Sequence, residues 1–313
     1  MQVRKNKQLL FKFAIVALFI TSFAIFFWLI YRERDVLYSY KWELRWRFAG
    51  LSIILFTFAF GIAAAIWTDI MRAFGSETTI AEHIRYFGFS QLAKRLPGTI
   101  WYFFGREYLY KQQSETPWLA SVASGLELVI STIAGSLLAV SLVSGLLIEL
   151  SYIHFIGFVL LIIGALVLAH PKVMQRLLAH MNFHLSYWPR YRQILGWIGA
   201  YLFVWILGGM TFWAITSTFV VVEYSAILFF LGAWSLVGVL SVLMFLLPTN
   251  LGFSEIGLSI FLAYFFPLPL AVALAILNRI SLMLYDIGIA IAITLVYTAF
   301  QKIHYQKTLE KQL

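Results

Sequence analysis

Three ionisable side chains lie far inside apolar stretches of the chain, where a charge needs a chemical or structural reason. Glu127 lies about ten residues into an apolar helix that begins near Trp118, and Arg279 and Asp286 lie within the stretch Leu270–Tyr297. If these helices span a bilayer, a charge near its centre costs at least about 2.5–3.5 kcal/mol, so the side chain faces the bundle interior and has a partner. The pattern indicates a polar cavity that accepts a charged group.

The signs and spacings of these charges predict how they pair. Arg279 and Asp286 are seven residues apart, on one helix face but about 10.5 Å apart along the axis, which is too far for a direct contact. Glu127 is therefore the expected partner of Arg279, by sign and by depth. In the functional interpretation this pair belongs to a site for a charged headgroup. In the alternative interpretation it only fixes the register of two helices.

A basic cluster precedes a short aromatic helix and is a candidate anion site. Lys94 and Arg95 stand just before the turn Pro97-Gly98, and Arg106 follows within the helix. Backbone N–H groups at a helix start, beside basic side chains, attract phosphate groups. The alternative is that these residues anchor the chain at a membrane surface, with their charged ends snorkelling to the headgroups.

An acidic residue occupies the start of a second short helix. Glu255 follows Pro248 and Gly252, and flexible backbone here suits a turn at which the chain re-enters the bundle. Glu255 then binds a cationic headgroup or a coupling proton, or it caps the helix Ser254–Phe266. Capping is the favoured interpretation.

The composition sets the class of protein that holds these residues. Of 313 residues, 62% are hydrophobic and 12% are charged, with a mean hydropathy of +0.86; soluble domains contain roughly 45–50% apolar and about 25% charged residues. The absence of cysteine excludes disulfide scaffolds, thiol catalysis and Cys-ligated metal sites. The chain is predicted to be an all-α, polytopic transmembrane helical bundle, a single integral membrane domain over 1–313 with no soluble domain.

Charge-free stretches predict seven or eight spanning helices, since each needs about 20 apolar residues. Lysine and arginine near the helix ends place the N-terminus in the cytoplasm and favour a cytoplasmic C-terminus, although five basic residues between 32 and 47 disagree with this alternation. The stretches are Phe13–Tyr31, Phe48–Thr68, Leu128–Ile148, Leu150–Pro171, Gln193–Val222, Tyr224–Ser254, Ile256–Asn278 and the shorter Ile287–Gln301.

Two further segments, Gly88–Tyr110 and Leu246–Phe266, fit neither a spanning helix nor an ordinary loop. Each predicts a re-entrant or interfacial helix of about 12 residues that follows a proline. Each is followed by a second proline and then, ten residues later, by a buried charge. This spacing indicates a weak internal repeat, with units at about 85–148 and 246–300. Many transporters are built from such repeats around a site at mid-membrane.

Signatures of catalysis, metal binding and cofactor binding are absent. The six histidines lack metal-ligand spacing such as HExxH, and GxSxG, Gly-rich dinucleotide and P-loop patterns do not occur. The formal net charge is +9, and the charged residues lie between the apolar runs. This placement is typical of membrane anchoring and not of nucleic-acid binding. The chain is predicted to be no enzyme, to need no cofactor and to bind membrane lipids.

Two pairs of motifs resemble signatures of the lysylphosphatidylglycerol synthase/flippase transmembrane family. QLAKRLPG at 91–98, followed by Arg106 and by ASGLE at 123–127, resembles the first signature. LPTNLGFSE at 247–255, followed by ALAILNR at 273–279, resembles the second. The family's usual Pro-Gly-Gly-x-Gly differs here, since threonine and asparagine replace glycines after the proline.

The resemblance implies a multi-pass protein of a bacterial or archaeal plasma (inner) membrane, a short relative without the soluble aminoacyl-transferase domain. It predicts a flippase or other lipid-translocating protein for a charged, phosphate-containing headgroup. One alternative is a secondary transporter of a small amphiphilic anion, with Asp286 or Glu255 as the proton-linked group. Another is a non-catalytic membrane partner of a separate glycosyl- or aminoacyl-transferase.

In the expected mechanism, the headgroup enters a polar groove between the two repeat units. Lys94, Arg95 and Arg106 attract its phosphate. The Glu127–Arg279 pair acts as a gate, which opens when the headgroup competes for the arginine. Exchange of one ion pair for another keeps the desolvation cost low.

Overall fold

The computed structural model describes the greater part of the chain, and its secondary structure there is helical, with no strand. This confirms the predicted all-α class. The described residues are 31–32, 34, 38, 40, 42–94, 100–111, 117–147, 156, 160, 163–164, 166–167, 170–180, 187–243 and 252–310.

Nine α-helices of the described ranges are labelled here in chain order, and a short 3-10 turn, Tyr224–Ala226, leads into the seventh. They are α1 (Trp46–Ala73), α2 (Ile80–Lys94), α3 (Ile100–Lys111), α4 (Pro117–Leu147), α5 (Pro171–His180), α6 (Tyr191–Phe219), α7 (Ile227–Leu243), α8 (Phe253–Leu262) and α9 (Leu268–Glu310).

Five of the described helices are long and apolar enough to cross a membrane, as a multi-pass membrane protein requires. The predicted count of seven or eight is not confirmed, because nearly all of Phe13–Tyr31 and most of Leu150–Pro171 lie outside the described residues. The qualifying segments are Trp46–Ala73, Leu119–Leu142, Tyr191–Phe219, Tyr224–Val242 and Leu268–Ala299.

The predicted span Ile256–Asn278 is not one helix. A turn that contains Pro267 separates α8 from α9, and Pro269 lies in the first turn of α9. Proline lacks a backbone N–H and is tolerated in the first turn of a helix, where that donor has no partner anyway. α9 then continues through Ile287–Gln301 without a break, so this predicted eighth stretch belongs to the same helix.

α6 is central to the bundle, and its contacts with α1 define two ends. Arg45, just before α1, donates its backbone N–H to the carbonyl of Thr218 near the end of α6, at 2.9 Å. Near the other end, the indole Nε1 of Trp197 in α6 donates to Asp69 of α1 at 2.7 Å. The two helices are therefore antiparallel. We call the end with the start of α1 end A and the opposite end, where α6 begins, end B.

α2 and α3 form a helical hairpin that enters the bundle from end B and returns to it. His83 of α2 and Tyr110 of α3 meet beside Trp67, near the end of α1. Ser90 and Arg106 meet deeper in the bundle. At 15 and 12 residues, both helices are shorter than the roughly 20 residues of a span. α3 has the predicted length of the first short helix.

α8 lies in the half of the bundle nearer end A. Phe261, near its C-terminus, packs against Phe229 at the start of α7, with ring centroids 5.8 Å apart, and α7 starts at end A. Gly257, one turn earlier, lies against Val237 in the middle of α7. α8 therefore begins at mid-depth and runs out to end A. Gly252 precedes it with φ of 94°, a left-handed conformation that favours glycine.

Candidate functional site

A cavity of about 230 Å³ lies where the α2–α3 hairpin meets α1, α4, α6, α7 and α9. Aromatic side chains form most of its wall, and no lysine or arginine of the described residues lines it. The aromatic residues are Phe56, Phe60, Phe87, Tyr102, Phe103, Tyr201, Trp205 and Trp234; the polar ones are Gln91, Glu127, Ser131, Thr211 and Asp286. Two carboxyl groups, those of Glu127 and Asp286, therefore belong to the described wall, and that of Glu127 is ion-paired with Arg106 behind it.

Two tryptophans of the wall are held by glycines across the contact between α6 and α7. Trp205 of α6 lies against Gly238 of α7, and Trp234 of α7 lies against Gly208 of α6. A Cβ added to Gly238 would come within 2.5 Å of the Trp205 ring, and one added to Gly135 of α4 within 2.6 Å. The glycines therefore set where both indole rings stand on the cavity wall.

Glu127 is held in the wall by donors from two other helices. Arg106 and Tyr102 of α3 bond to its Oε2, and Tyr201 of α6 donates to its Oε1 at 2.6 Å. The carboxylate thus joins α3, α4 and α6. Glu127 is 5% exposed, and its charge-assisted hydrogen bonds offset the cost of removing a carboxylate from water.

Arg106 lies behind Glu127 and does not line the cavity. Its Nε donates to the hydroxyl of Ser90 at 3.0 Å, and an amino nitrogen donates to the hydroxyl of Ser124 at 3.2 Å. The guanidinium carbon lies 3.6 Å from the centre of the Trp67 ring, a cation–π geometry. Because none of its surface is exposed, Arg106 positions Glu127, and no phosphate can reach it in this arrangement.

The predicted ion pair between Glu127 and Arg279 is wrong. The predicted gate, which depended on this pair, is therefore wrong as well. Glu127 pairs with Arg106, and Arg279 pairs with Glu255. The prediction compared only sign and depth, whereas a buried charge pairs with whichever group packs within hydrogen-bond distance. In both observed pairs a residue of a short helix, α3 or α8, bonds to the long helix that follows it, α4 or α9. The signs are reversed between the two.

Glu255 both caps α8 and pairs with Arg279. Its carboxylate accepts hydrogen bonds from the backbone N–H of Gly252 at 2.9 Å and from the hydroxyl of Ser254 at 3.1 Å. The favoured capping role is therefore confirmed. The two side chains are unequally buried, since that of Glu255 is 8% exposed and that of Arg279 is 23% exposed. This cation, unlike the one on α3, keeps part of its surface open.

Asp286 lies on the cavity wall, supplied by α9, as an inward-facing charge must. The residue is 4% exposed. Two of the predicted site residues, Glu127 and Asp286, therefore line one cavity, whereas Arg279 and Glu255 form a separate pair between α8 and α9.

Two tyrosines complete the site without having been expected from the sequence. Tyr102 precedes Arg106 by four residues, so helical spacing would have placed both on one face of α3. Tyr201 lies 74 residues beyond Glu127, and no local pattern connects the two. The second tyrosine could be found only from the packing of α6 against α4.

A second buried polar group lies at the base of the hairpin, at end B. Tyr110 accepts a hydrogen bond from Nε1 of Trp67 at 3.0 Å and also bonds with Nδ1 of His83. The other ring nitrogen of His83 lies 3.4 Å from the hydroxyl of Ser76. Since Trp67 also carries Arg106 on its ring face, this network ties the base of the hairpin to α1.

Tyr110→Phe is expected to lower the free energy of unfolding by about 1–3 kcal/mol, because Trp67 and His83 each lose a buried hydrogen-bond partner. The measurement is thermal unfolding in detergent, followed by tryptophan fluorescence. Tyr108→Phe is the matched control, since Tyr108 lies on the same helix and is 65% exposed. Equal losses in the two variants would contradict a role for the network in stability.

Part of the predicted site falls outside the described residues. This holds for Arg95, Pro97, Gly98 and Pro248. Lys94 is the last residue of α2. The predicted anion site at the first turn therefore stays a prediction.

No group of three or more His, Cys, Asp or Glu that could hold a metal ion occurs among the described residues. The site instead offers two carboxyl groups in an aromatic-walled cavity, with one of them held by a buried arginine. No family model matches the chain and no curated protein matches it, so the family resemblance of its motifs stays a prediction.

Proposed function

We propose that the protein translocates a membrane lipid whose headgroup carries a cationic group, and that the central cavity accepts this group. The observation that supports the proposal is the chemistry of the wall: Glu127 and Asp286 contribute carboxyl groups to it, eight aromatic side chains surround them, and no lysine or arginine belongs to the described lining. A cation entering the cavity meets carboxyl oxygens and aromatic rings, whereas an anion would meet no cationic side chain of the described lining.

The aromatic wall supports the same conclusion. The faces of tryptophan, tyrosine and phenylalanine rings attract cations, and Trp is the strongest of the three. Trp205 and Trp234 stand on the wall with Tyr102 and Tyr201. A cavity of about 230 Å³ is small, near the lower limit of small-molecule sites, so it takes a headgroup while the acyl chains stay in the bilayer.

The composition of the wall also favours the proposal over the two alternatives. A secondary transporter of a small amphiphilic anion is disfavoured, because Arg106, which pairs with Glu127, is fully buried behind the wall and no lysine or arginine of the described residues lines the cavity. A non-catalytic partner of a separate transferase would not move lipid on its own, so the assay below distinguishes it from the proposed function.

The test is a reconstitution of the purified protein into phosphatidylcholine vesicles with a small fraction of phosphatidylethanolamine. A membrane-impermeant amine reagent modifies only the outer leaflet, so vesicles without protein react to about half. Vesicles with protein are expected to react completely, because inner lipids reach the outer leaflet. Equal extents with and without protein would contradict the proposal.

Asp286→Asn is expected to slow this translocation at least about tenfold, because a desolvated cation loses a charged partner. The rate is measured from the time course of amine modification. Asp69→Asn is the matched control, since Asp69 is exposed on α1 and does not line the cavity. The cavity would not be the binding site if the two variants were equally fast.

A further inference from the structure

We infer that Asn278 and Arg279 of α9 form a second subsite, which binds the phosphate group of the ligand whose cationic group enters the cavity. This inference deepens the proposed function and rests on it. Four observations carry it: an unpartnered buried amide, its place on the helix face that lines the cavity, a partly open guanidinium on the next residue of the helix, and the carboxylate that now pairs with that guanidinium.

Asn278 is a buried amide without a partner. The residue is 2% exposed, and its side-chain oxygen has no hydrogen-bond partner among the described residues. Leaving a buried polar group unpaired destabilises the folded protein. Such groups are uncommon in folded proteins and are concentrated where a ligand or water completes them. The N–H groups of the amide are donors that suit a phosphate oxygen, whereas its carbonyl oxygen is an acceptor and is left for water or for an N–H or O–H group of the ligand.

The position of Asn278 on α9 places it next to the cavity. Asn278, Leu282 and Asp286 follow one another at intervals of four residues, so they share one face of the helix. Leu282 and Asp286 line the cavity. Asn278 therefore continues the cavity-lining face by one turn, towards end A and towards the ion pair of Arg279. About two helical turns separate it from Asp286, or about 12 Å along the axis.

Arg279 supplies the positive charge. Its guanidinium bonds to Glu255 through one amino nitrogen, and no other hydrogen bond of this side chain is present in the part of the chain that the structure describes. The side chain is 23% exposed, whereas that of Arg106 is fully buried. Since a guanidinium has five N–H donors in a planar fork, the remaining ones match two oxygens of a phosphate.

Glu255 is the internal competitor for this site. Its carboxylate occupies one edge of the Arg279 guanidinium and also accepts the backbone N–H of Gly252. A phosphate that binds Arg279 must share it with Glu255 or displace it. With a cation site at Asp286 and an anion site about two turns away, the pair of subsites selects a zwitterionic headgroup over a simple amine.

The test measures binding by calorimetry to the purified full chain in detergent. Three probes separate the chemistry: dihexanoyl phosphatidic acid carries the phosphate without a cation, inorganic phosphate carries no lipid, and octylamine carries the cation alone. Glu255→Gln is expected to tighten binding of the phosphatidic acid about tenfold, because the competing charge is gone while glutamine still caps α8. Asn278→Leu is expected to weaken it about tenfold. Neither variant should change octylamine binding.

The experiment distinguishes failure of the phosphate subsite from failure of the cation-binding cavity. Glu223→Gln, in the exposed residue before the 3-10 turn, is the matched control and is expected to change nothing. An unchanged affinity for phosphatidic acid in both Glu255→Gln and Asn278→Leu overturns the subsite, even where octylamine binds through Asp286. If octylamine fails to bind but the phosphatidic acid responds as expected, the subsite stands and the cationic cavity fails. Equal binding of inorganic phosphate supports the subsite and assigns it to a free anion.

Asn278→Asp keeps the inference testable if the leucine variant does not fold. It preserves the size of the side chain and places a negative charge beside the phosphate. Binding of dihexanoyl phosphatidic acid is then expected to weaken at least tenfold, with octylamine binding retained. Tighter binding of the phosphatidic acid to this variant would overturn the subsite.

Discussion

Arg106→Met is expected to lower the free energy of unfolding by about 3–5 kcal/mol, because it leaves the buried carboxylate of Glu127 without its cation. Methionine keeps much of the apolar length of the side chain, so the loss reports the charge more than the packing. The hydroxyls of Ser90 and Ser124 also lose their bonds to the guanidinium. The measurement is denaturant unfolding of the purified protein in detergent, followed by tryptophan fluorescence.

Neutralising both Arg106 and Glu127 distinguishes the effect of the unpaired charge from the effect of lost packing. The double variant Arg106→Met with Glu127→Gln is expected to regain at least about 2 kcal/mol, because no buried charge remains. The oxygen of the glutamine accepts from one of Tyr102 and Tyr201, and its amide nitrogen donates to the hydroxyl of the other. Arg85→Met, on a partly exposed side of α2, is the control and is expected to cost less than about 1 kcal/mol. A double variant as unstable as Arg106→Met alone would show that packing, and not the unpaired charge, causes the loss.

Gly238→Ala is expected to slow lipid translocation at least about tenfold and to destabilise the protein by about 1–3 kcal/mol. The new Cβ would lie within 2.5 Å of the Trp205 ring, so the ring must leave its place on the cavity wall. Gly135 of α4 closes the other side of the same ring, so the displaced indole cannot move towards α4 without a second clash. The measurements are the vesicle assay and unfolding in detergent.

The matched control is a glycine-to-alanine substitution at a position where the new Cβ meets no other atom. Gly199→Ala in α6 places its Cβ where no atom lies within 4 Å, and alanine is favoured over glycine in a helix by about 1 kcal/mol, so this variant should be at least as stable as the parent. Adding Trp205→Phe to Gly238→Ala is expected to restore part of both losses, because the smaller ring leaves room for the Cβ. Equal behaviour of the two alanine variants would contradict the steric argument.

In both ion pairs a short helix is bonded to the long helix that follows it, but the two arginines differ in how far they are exposed. This difference in exposure indicates different roles. Arg106 and Glu127 hold the α2–α3 hairpin to α4 with a fully buried cation, so this pair positions a carboxylate on the cavity wall. Arg279 and Glu255 hold α8 to α9 with a partly exposed cation, so this pair remains open to a competing anion. Substitutions in the Arg279–Glu255 pair should therefore change ligand binding, whereas substitutions in the Arg106–Glu127 pair should change the stability of the protein.

Several features of the site are predictable from local sequence because they depend on spacing within one helix. α3 has the expected 12 residues, and α8 begins after Gly252 with Glu255 as its cap. The inward position of Asp286 follows from its depth in a long apolar helix, since a charge there must avoid the lipid. Each inference uses only helix geometry and the cost of exposing a charge to hydrocarbon.

The partners of those charges were not predictable in the same way. Sign and depth favour Glu127 with Arg279, yet the short helices α3 and α8 bring Arg106 and Glu255 nearer to them. Tyr201 joins the site only because α6 packs against α4. Nothing in the spacing of residues along the chain measures the distance between two helices.

The amino-acid sequence alone determined that this protein is a helical membrane bundle and that its buried charges need partners, because composition and helix periodicity set the cost of burial residue by residue. Only the tertiary structure decided which partners those are, where the cavity lies and that Glu127 and Asp286 share its wall. These depend on distances of a few ångströms between helices, which packing sets and which sequence spacing does not encode.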